Sequence, residues 1–383
     1  MRPSLALVLV LLLTGIIRAQ TVRPVPSLLY PTIQSAIDAS VDGDVIDIGP
    51  GTYLESLLVS SKGLTLRGQG AGVTSIDGQG IFRCLAAYLP PGASLKLQQL
   101  GLLDGATTGP TNQEGDHQGG CLWVADANTP AEAALIELSD CLVANGRAAN
   151  GGGLYAGRHH QLLLSRCQFQ GNGPGANYAS MVSLPSGFAV LCRGDLIATD
   201  TSFTGNIAGL AAGGNGSGGA IRIEALASQG GFLLDCKRCD FLGNVAGRGG
   251  AISAVAQMGT GSQPGNVKLE NCALVGNGSA LAGSRAAALE LAYTDCWARS
   301  TLIARNSSVG SPDLIENARR LELVHCTVVE NGIAVIPTPG PHDLTSYNSF
   351  ANLRNCIIAK NRAATNFRGL AGSSPPTIIT STT

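Results

Sequence analysis

Four groups of residues have types and spacings that could do chemistry. Cys236-x-x-Cys239 has the spacing of a dithiol redox pair or of half a zinc site. His159 and His160 could supply a general base, and Arg193 and Asp195 a cation and a carboxylate. A polysaccharide-cleaving centre needs such a base and charge-neutralising cations to converge on one surface. Arg193-Gly194-Asp195 also spells an integrin-type tripeptide, which acts only from an exposed loop. Asn215, Asn277 and Asn306 begin N-x-S/T sequons. Whether any of these groups acts depends on the elements that hold it.

Those elements are set by an internal repeat. With Cys167 taken as position zero, apolar residues stand at minus five (Leu162), minus three (Leu164) and plus two (Phe169), and Asn172 stands at plus five. The register returns at Leu196, Ala198, Thr201, Phe203, Asn206 and at Leu234, Cys236, Cys239, Phe241, Asn244. It continues around Cys272, Thr301, Cys326 and Cys356, with Asn277, Asn306, Asn331 and Asn361 at plus five. Two earlier copies are less regular. One has Asn145 one place early after Cys141, and the other has Gly105 in the asparagine slot after Leu100.

Minus five to minus three, and zero to plus two, are period-two alternations, so each pair faces one side of a strand. The phase slips by one residue between them, which places a bend there. A period of about 31 residues is enough for three short strands, their turns and one loop. Coils stacked at roughly 4.8 Å pair every strand in parallel with its neighbours. The expected fold is all-β, a right-handed parallel β-helix with inner columns of like residues.

The columns reassign most of the chemical candidates. Asparagine at plus five forms a buried ladder of side-chain amides, which includes Asn277 and Asn306 and leaves Asn215 as the accessible sequon. Cysteine at zero is a small apolar filler, since Thr201, Thr301 and Leu100 share its slot. Cys236 stands where other coils carry Leu269, Leu323 and Leu353, and no second C-x-x-C exists to complete a zinc site. Neither a metal nor a cofactor is expected.

Composition agrees with a large, finely divided core. The 383 residues are 44% hydrophobic, 13% charged and 4% aromatic with 51 glycines, which favours many short strands joined by tight turns. Net charge is -1 with no Lys or Arg run, so nothing here attracts nucleic acid or an anionic membrane. Arg2, the apolar run 5–17 and Ala19 read as a secretory signal peptide over 1–19, too short to span a bilayer. Residues 20–44 read as a linker and capping helix, with Ile33, Ala36 and Ile37 on one face. The β-helix is expected over 45–361, opening with strands at 45–48, 57–59 and 64–66, and 362–383 as a flexible Pro/Ser/Thr-rich tail. Export would put the chain outside the cell without membrane insertion of the mature chain. There the cysteines are expected as mostly reduced, buried thiols, because stacked neighbours are set wider than a disulfide allows.

Two resemblances follow. Phe169 to Asn172, Phe203 to Asn206 and Phe241 to Asn244 match F-x-x-N, and Gly218-Gly219-Ala220-Ile221 and Gly249-Gly250-Ala251-Ile252 match G-G-A-I. This alternation resembles the passenger repeats of the polymorphic outer membrane proteins, adhesins of chlamydiae. It departs from them in ending without a membrane barrel. The front of the chain, from Thr32 to Gly80, resembles the opening coils of the pectin-lyase-like superfamily. The pectinesterase and polygalacturonase catalytic signatures are absent, so this resemblance implies a fold and no reaction.

Two function classes are open. The favoured one is a non-catalytic secreted or cell-surface protein that presents a lateral loop face to an extracellular glycan or a host or cell-surface protein. The other is a polysaccharide lyase, hydrolase or epimerase. The segment after each asparagine varies from short at 245–249 to long at 173–187 and 332–345. Loops on a rigid scaffold are where binding resides, so Tyr178, Met181 and His342 are the expected contact residues.

Overall fold

A computed structural model describes residues 20–107, 115–175, 186–207, 216–226, 230–257, 262–279, 286–308, 314–331, 350–359, 361 and 378–379. The chain is a right-handed parallel β-helix whose coils contribute strands to three sheet columns. The first column runs from Leu57–Ser60 through Leu122–Val124 and Val190–Cys192 to Ile252–Ala256. The second runs from Val22–Val25 through Gln161–Ser165 to Phe350–Arg354, and the third from Gly51–Tyr53 to Ile378–Ile379. Every pairing within these columns is parallel, and inward residues stack on inward residues, as in Phe169↔Phe203↔Phe241 and Leu164↔Ala198↔Cys236; the pairing of Leu289–Arg299 with Ile315–Val324 shifts register between Glu290 and Asp295. The expected strands are found at Val45–Ile48, Leu57–Ser60 and Leu64–Arg67. Ile378–Ile379 pairs with Cys356 and Ile357, so the third sheet extends past the last repeat.

The bend between the second and third columns is made at minus one. Asp140, Arg166, Asp200, Arg238, Asn271, Ser300, His325 and Asn355 all have φ between 51° and 54° except Ser300 at 49°. One left-handed residue per coil absorbs the phase slip that the sequence shows. The side chain at zero then closes the bend. Cys167 Sγ donates to Ser165 O at 3.4 Å and lies 3.3 Å from Leu138 O in the coil before, while Thr201 Oγ1 donates to Thr199 O at 2.9 Å. Cysteine and threonine therefore share this slot as compact donors, a more specific role than apolar filling. All 11 cysteines are buried and free. Burial pushes the Cys192 and Cys296 thiols up to about 12, which keeps them protonated and unreactive.

Plus five is the asparagine ladder. Asn206 Nδ2 donates to Asn244 Oδ1 at 2.8 Å and to Phe169 O at 3.1 Å, and Asn244 Oδ1 also accepts the Asn206 backbone N–H at 3.1 Å. The same set joins Asn172, Asn277, Asn306, Asn331 and Asn361, so Asn277 and Asn306 are buried. Asn145, one place early in the register, stands outside the ladder. It is exposed with φ 58°, and Gly146 takes the ladder slot, its N–H donating to Asn172 Oδ1 at 2.8 Å.

A six-residue helix, Ile33–Asp38, caps the N-terminal end with Ile33, Ala36 and Ile37 buried. Thr32 and Ser35 form its capping box. Glu55 accepts the Ile33 and Gln34 N–H groups at 3.0 Å each, and Lys62 Nζ donates to Ile37 O and Ser40 O at 2.9 Å each. Opposite charges thus sit at the two ends of the helix, each on the side its dipole favours.

Near the C-terminal end the corner between the first and second columns narrows to a kink at Tyr293, φ 49°, with a register shift against the next coil. Leu289–Arg299 and Ile315–Val324 are single strands of 11 and 10 residues that run through both columns and join them into one 19-stranded sheet.

Candidate functional site

The outer face of the first sheet carries an extended polar assembly. Its middle outward column stacks Trp123, Tyr155, Leu191, Arg222, Ser253 and Glu290 in successive coils. The first three pack as a small apolar cluster on the outside of the solenoid. The last three are polar, and charge begins where Ile221-Arg222-Ile223-Glu224 alternates inward isoleucine with outward charge.

The polar chain can be followed bond by bond. Tyr155 Oη donates to Asp126 Oδ1 at 3.1 Å and accepts from Arg193 Nη1 at 3.0 Å. Arg193 Nε reaches Glu224 Oε1 at 2.8 Å, and Arg222 Nε reaches Glu224 Oε2 at 3.3 Å. Arg222 Nη1 donates to Ser253 Oγ at 2.7 Å, and Ser253 Oγ is hydrogen-bonded to Glu290 Oε2. Arg248 Nη1 closes the chain 3.6 Å from Glu290 Oε1. Asp126 is held separately by Arg158, at 2.9 Å from its backbone N–H and 2.7 Å from Nε. Four guanidiniums thus face three carboxylates.

That pairing decides what the assembly can do. Burial works to raise the Asp126 carboxyl, but the Arg158 backbone N–H and guanidinium outweigh it and hold it below the usual range. A general acid near neutral pH requires the opposite shift. Burial raises the Tyr155 hydroxyl far above its ordinary value, so it is no phenolate nucleophile. A convergent Arg, Asp and Glu cluster on one outward face is what cleavage chemistry would need, and here it exists with its carboxylates bound to arginines. Among the described residues, no three His, Cys, Asp or Glu side chains gather as a metal site would require.

Beside this chain, at the corner between the first and second sheets, lies a shallow open depression of about 250 Å³. Ser61, Tyr88, Pro90, Pro91, Asp126, Asn128 and Glu132 line it. Tyr88 is 45% exposed and stands edge-on to buried Trp123, ring centroids 5.1 Å apart. Trp123 is itself fixed, its Nε1 donating to Gln118 Oε1 at 3.0 Å with the Arg83 guanidinium 5.3 Å from the ring centroid. Gly115, at φ 85°, passes so close to that ring that a Cβ would come within 2.7 Å of it. Glu132 Oε2 accepts from Asn128 N at 3.0 Å and Nδ2 at 3.1 Å. The depression thus offers an aromatic ring with carboxylate and amide groups at its rim.

His160 positions this corner. It is 2% exposed, its Nδ1 accepts the Ala134 N–H at 3.0 Å, and its Nε2–H donates to Ala125 O at 2.7 Å. Burial lowers its pKa, so the ring is neutral and structural. His159 beside it is half-buried with φ 69°. Cys236 and Cys239 are buried thiols. Arg193 belongs to the polar chain, and Asp195 Oδ1 accepts the Leu233 N–H at 2.8 Å, which ties both ends of the Arg193-Gly194-Asp195 tripeptide into the scaffold. Tyr178, Met181, His342 and Asn215 lie outside the described residues. Sequence reasoning missed Tyr88, Asp126, Asn128 and Glu132. The signal available was the ten-residue corner 125–134, longer than the corner 157–160 of the following coil.

No protein-family model matches the chain, and no curated protein matches it. Among solved structures it is similar to the pectin methylesterase of Aspergillus niger, at 14% identity over 94% of this chain and 91% of that one, TM-score 0.39. It is similar to DFA-IIIase from Arthrobacter chlorophenolicus A6, at 10% identity over 94% and 99%, TM-score 0.38. A third is pectin methylesterase PemA from Erwinia chrysanthemi, at 10% identity over 93% and 98%, TM-score 0.32. The strand pairing described above carries the fold assignment.

Proposed function

We propose that this chain is a non-catalytic, glycan-binding β-helix protein that acts outside the cell and holds its ligand at the Tyr88 depression. The observation that carries the reading is the combination at that corner: an exposed tyrosine ring on a rigid support, with Asp126, Asn128 and Glu132 around it. A sugar offers a C–H face to an aromatic ring and hydroxyls to carboxylate and amide groups. The arginine-bound carboxylates of the neighbouring chain support binding over cleavage, since they serve poorly as acid or base at neutral pH. Export rests on the charged and apolar N-terminal pattern, Arg2 followed by 5–17.

The test is a glycan array probed with the full chain after removal of 1–19, combined with an assay of each hit for new reducing ends and unsaturated uronates. The expected result is retention of at least one glycan class without cleavage, with Tyr88→Ala abolishing retention. Turnover of a hit, with loss of turnover in Glu224→Gln, would replace this reading by the enzyme one.

A further inference from the structure

We infer, on the reading of the Tyr88 depression as a glycan site, that it selects a sugar carrying an ammonium group, as in a chain of linked glucosamine. The two carboxylates that line it are in different states. Asp126 is saturated: its Oδ1 accepts from Tyr155 Oη and the Arg158 backbone N–H, and its Oδ2 from Arg158 Nε. Glu132 is not. Both of its hydrogen bonds, from Asn128 N and Nδ2, fall on Oε2. Among the described residues nothing donates to Glu132 Oε1, and no lysine, arginine or histidine forms an ion pair with this carboxylate.

The cations of this corner are engaged elsewhere. Among the described residues no lysine, arginine or histidine lines the depression. Arg158 is held by Asp126, and Arg193 by Tyr155 and Glu224. Arg83, against Trp123, donates to Gly115 O, Gly119 O and Gln118 O. Lys62, next to Ser61, donates to Ile37 O and Ser40 O. The charge of Glu132 reaches His159, but burial and the Arg158 charge outweigh it and lower that ring's pKa, so His159 is neutral at pH 7. A ligand therefore meets an aromatic face, one carboxylate oxygen with acceptor capacity to spare, and no cation. A glucosamine chain answers both features, with the C–H face of a ring on Tyr88, which is 45% exposed, and an ammonium at Glu132. The bond from that ammonium is charge-assisted. A neutral sugar offers the same oxygen only a hydroxyl or amide donor. A uronate sets carboxylate against carboxylate, with no lining cation to relieve the repulsion.

The probes are hexaglucosamine, its fully N-acetylated counterpart, hexagalacturonate and hexalysine. Each is titrated calorimetrically into the full chain without residues 1–19 at pH 6.0, where the amines are protonated and the carboxylates ionised. Expected is hexaglucosamine binding at least about fivefold tighter than that of the N-acetylated chain, weakening as salt is raised. Glu132→Gln, whose amide oxygen still accepts from Asn128, removes that preference and its salt dependence, and Tyr88→Ala abolishes binding of both chains. Should Glu132→Gln disturb the corner, seen as a lowered melting temperature, the salt dependence of the parent carries the test. Tyr88-dependent binding of the N-acetylated chain or hexagalacturonate as tight as that of hexaglucosamine would overturn the selection for an ammonium and leave the depression a glycan site. A preference retained in folded Glu132→Gln would overturn it too, and equal binding of hexalysine would replace it by a basic-peptide site. Binding of no sugar would remove the glycan reading itself, and this selection with it.

Discussion

The bend between the second and third sheets and the outer face of the first sheet are built on opposite rules. At the bend the coils from Gln99 onward repeat one solution: a left-handed residue at minus one, a compact donor or apolar side chain at zero, and, in the ladder coils, asparagine at plus five. On the first sheet the outward column changes from Trp123 and Tyr155 through Leu191 to Arg222, Ser253 and Glu290. Stacking at one strand spacing explains the difference. Inside, a side chain meets its counterpart directly above, and buried groups must be matched in size and hydrogen bonding. Outside, water or a loop can complete any mismatch, so each coil is free to differ. The repeat therefore specifies fold, and its departures specify function.

The comparison breaks most readily at the interior. Phe203 is fully buried between Phe169 and Phe241, with centroids 5.2 and 5.0 Å away. Phe203→Ala should cost about 3 to 5 kcal/mol as lost burial and a residual cavity, read by denaturant unfolding. A shift under about 1 kcal/mol would mean the column is not a packed core.

Asn244→Ala comes next. It leaves the Asn206 backbone N–H and amide, and Phe203 O, without their partners. The expected loss is about 1 to 3 kcal/mol, and Asn244→Asp should not restore it, because a carboxylate cannot donate to Phe203 O.

A smaller effect belongs to the corner that His160 holds. Its folded pKa lies below the ordinary 6.5 because burial disfavours the charged ring. The unfolded chain therefore takes up a proton that the folded chain resists, so this stability is full above pH 6.5 and falls as pH drops below it. Melting curves at pH 7.5 and 5.5 should converge between the parent and His160→Gln as the pH is lowered. Equal differences at both values would remove the linkage.

The smallest effect is expected at the exposed minus-one pairs. Arg238 binds Asp200 at 2.6 and 2.8 Å in full solvent, where such pairs contribute little. Arg238→Ala should leave the melting temperature unchanged within error, and a clear drop would show that the corner side chain matters as well as its backbone.

Much of the interior was legible in the sequence because columns repeat. The ladder, the phase slip at minus one and the buried Cys236-x-x-Cys239 all follow from one register. Asn145 reads one place early in the sequence, and the structure agrees: Gly146, at plus five from Cys141, holds the ladder slot. The long strands Leu289–Arg299 and Ile315–Val324 were missed because narrowing a corner to the single left-handed residue Tyr293 leaves no motif behind. The candidate site was least legible, since Tyr88 ends a strand of one coil while Asp126 and Glu132 lie in the non-repeating corner of the next. Attention to loop length alone pointed to the segments after each asparagine.

The central claim, that function is separable from the repeated interior, is tested most directly on one variant. Tyr88→Ala should abolish binding of the glycan class retained on the array while leaving the melting temperature within about 1 °C of the parent, because Tyr88 is solvent-facing and off the interior columns. Undiminished glycan binding, or a melting temperature that falls together with binding, would contradict it.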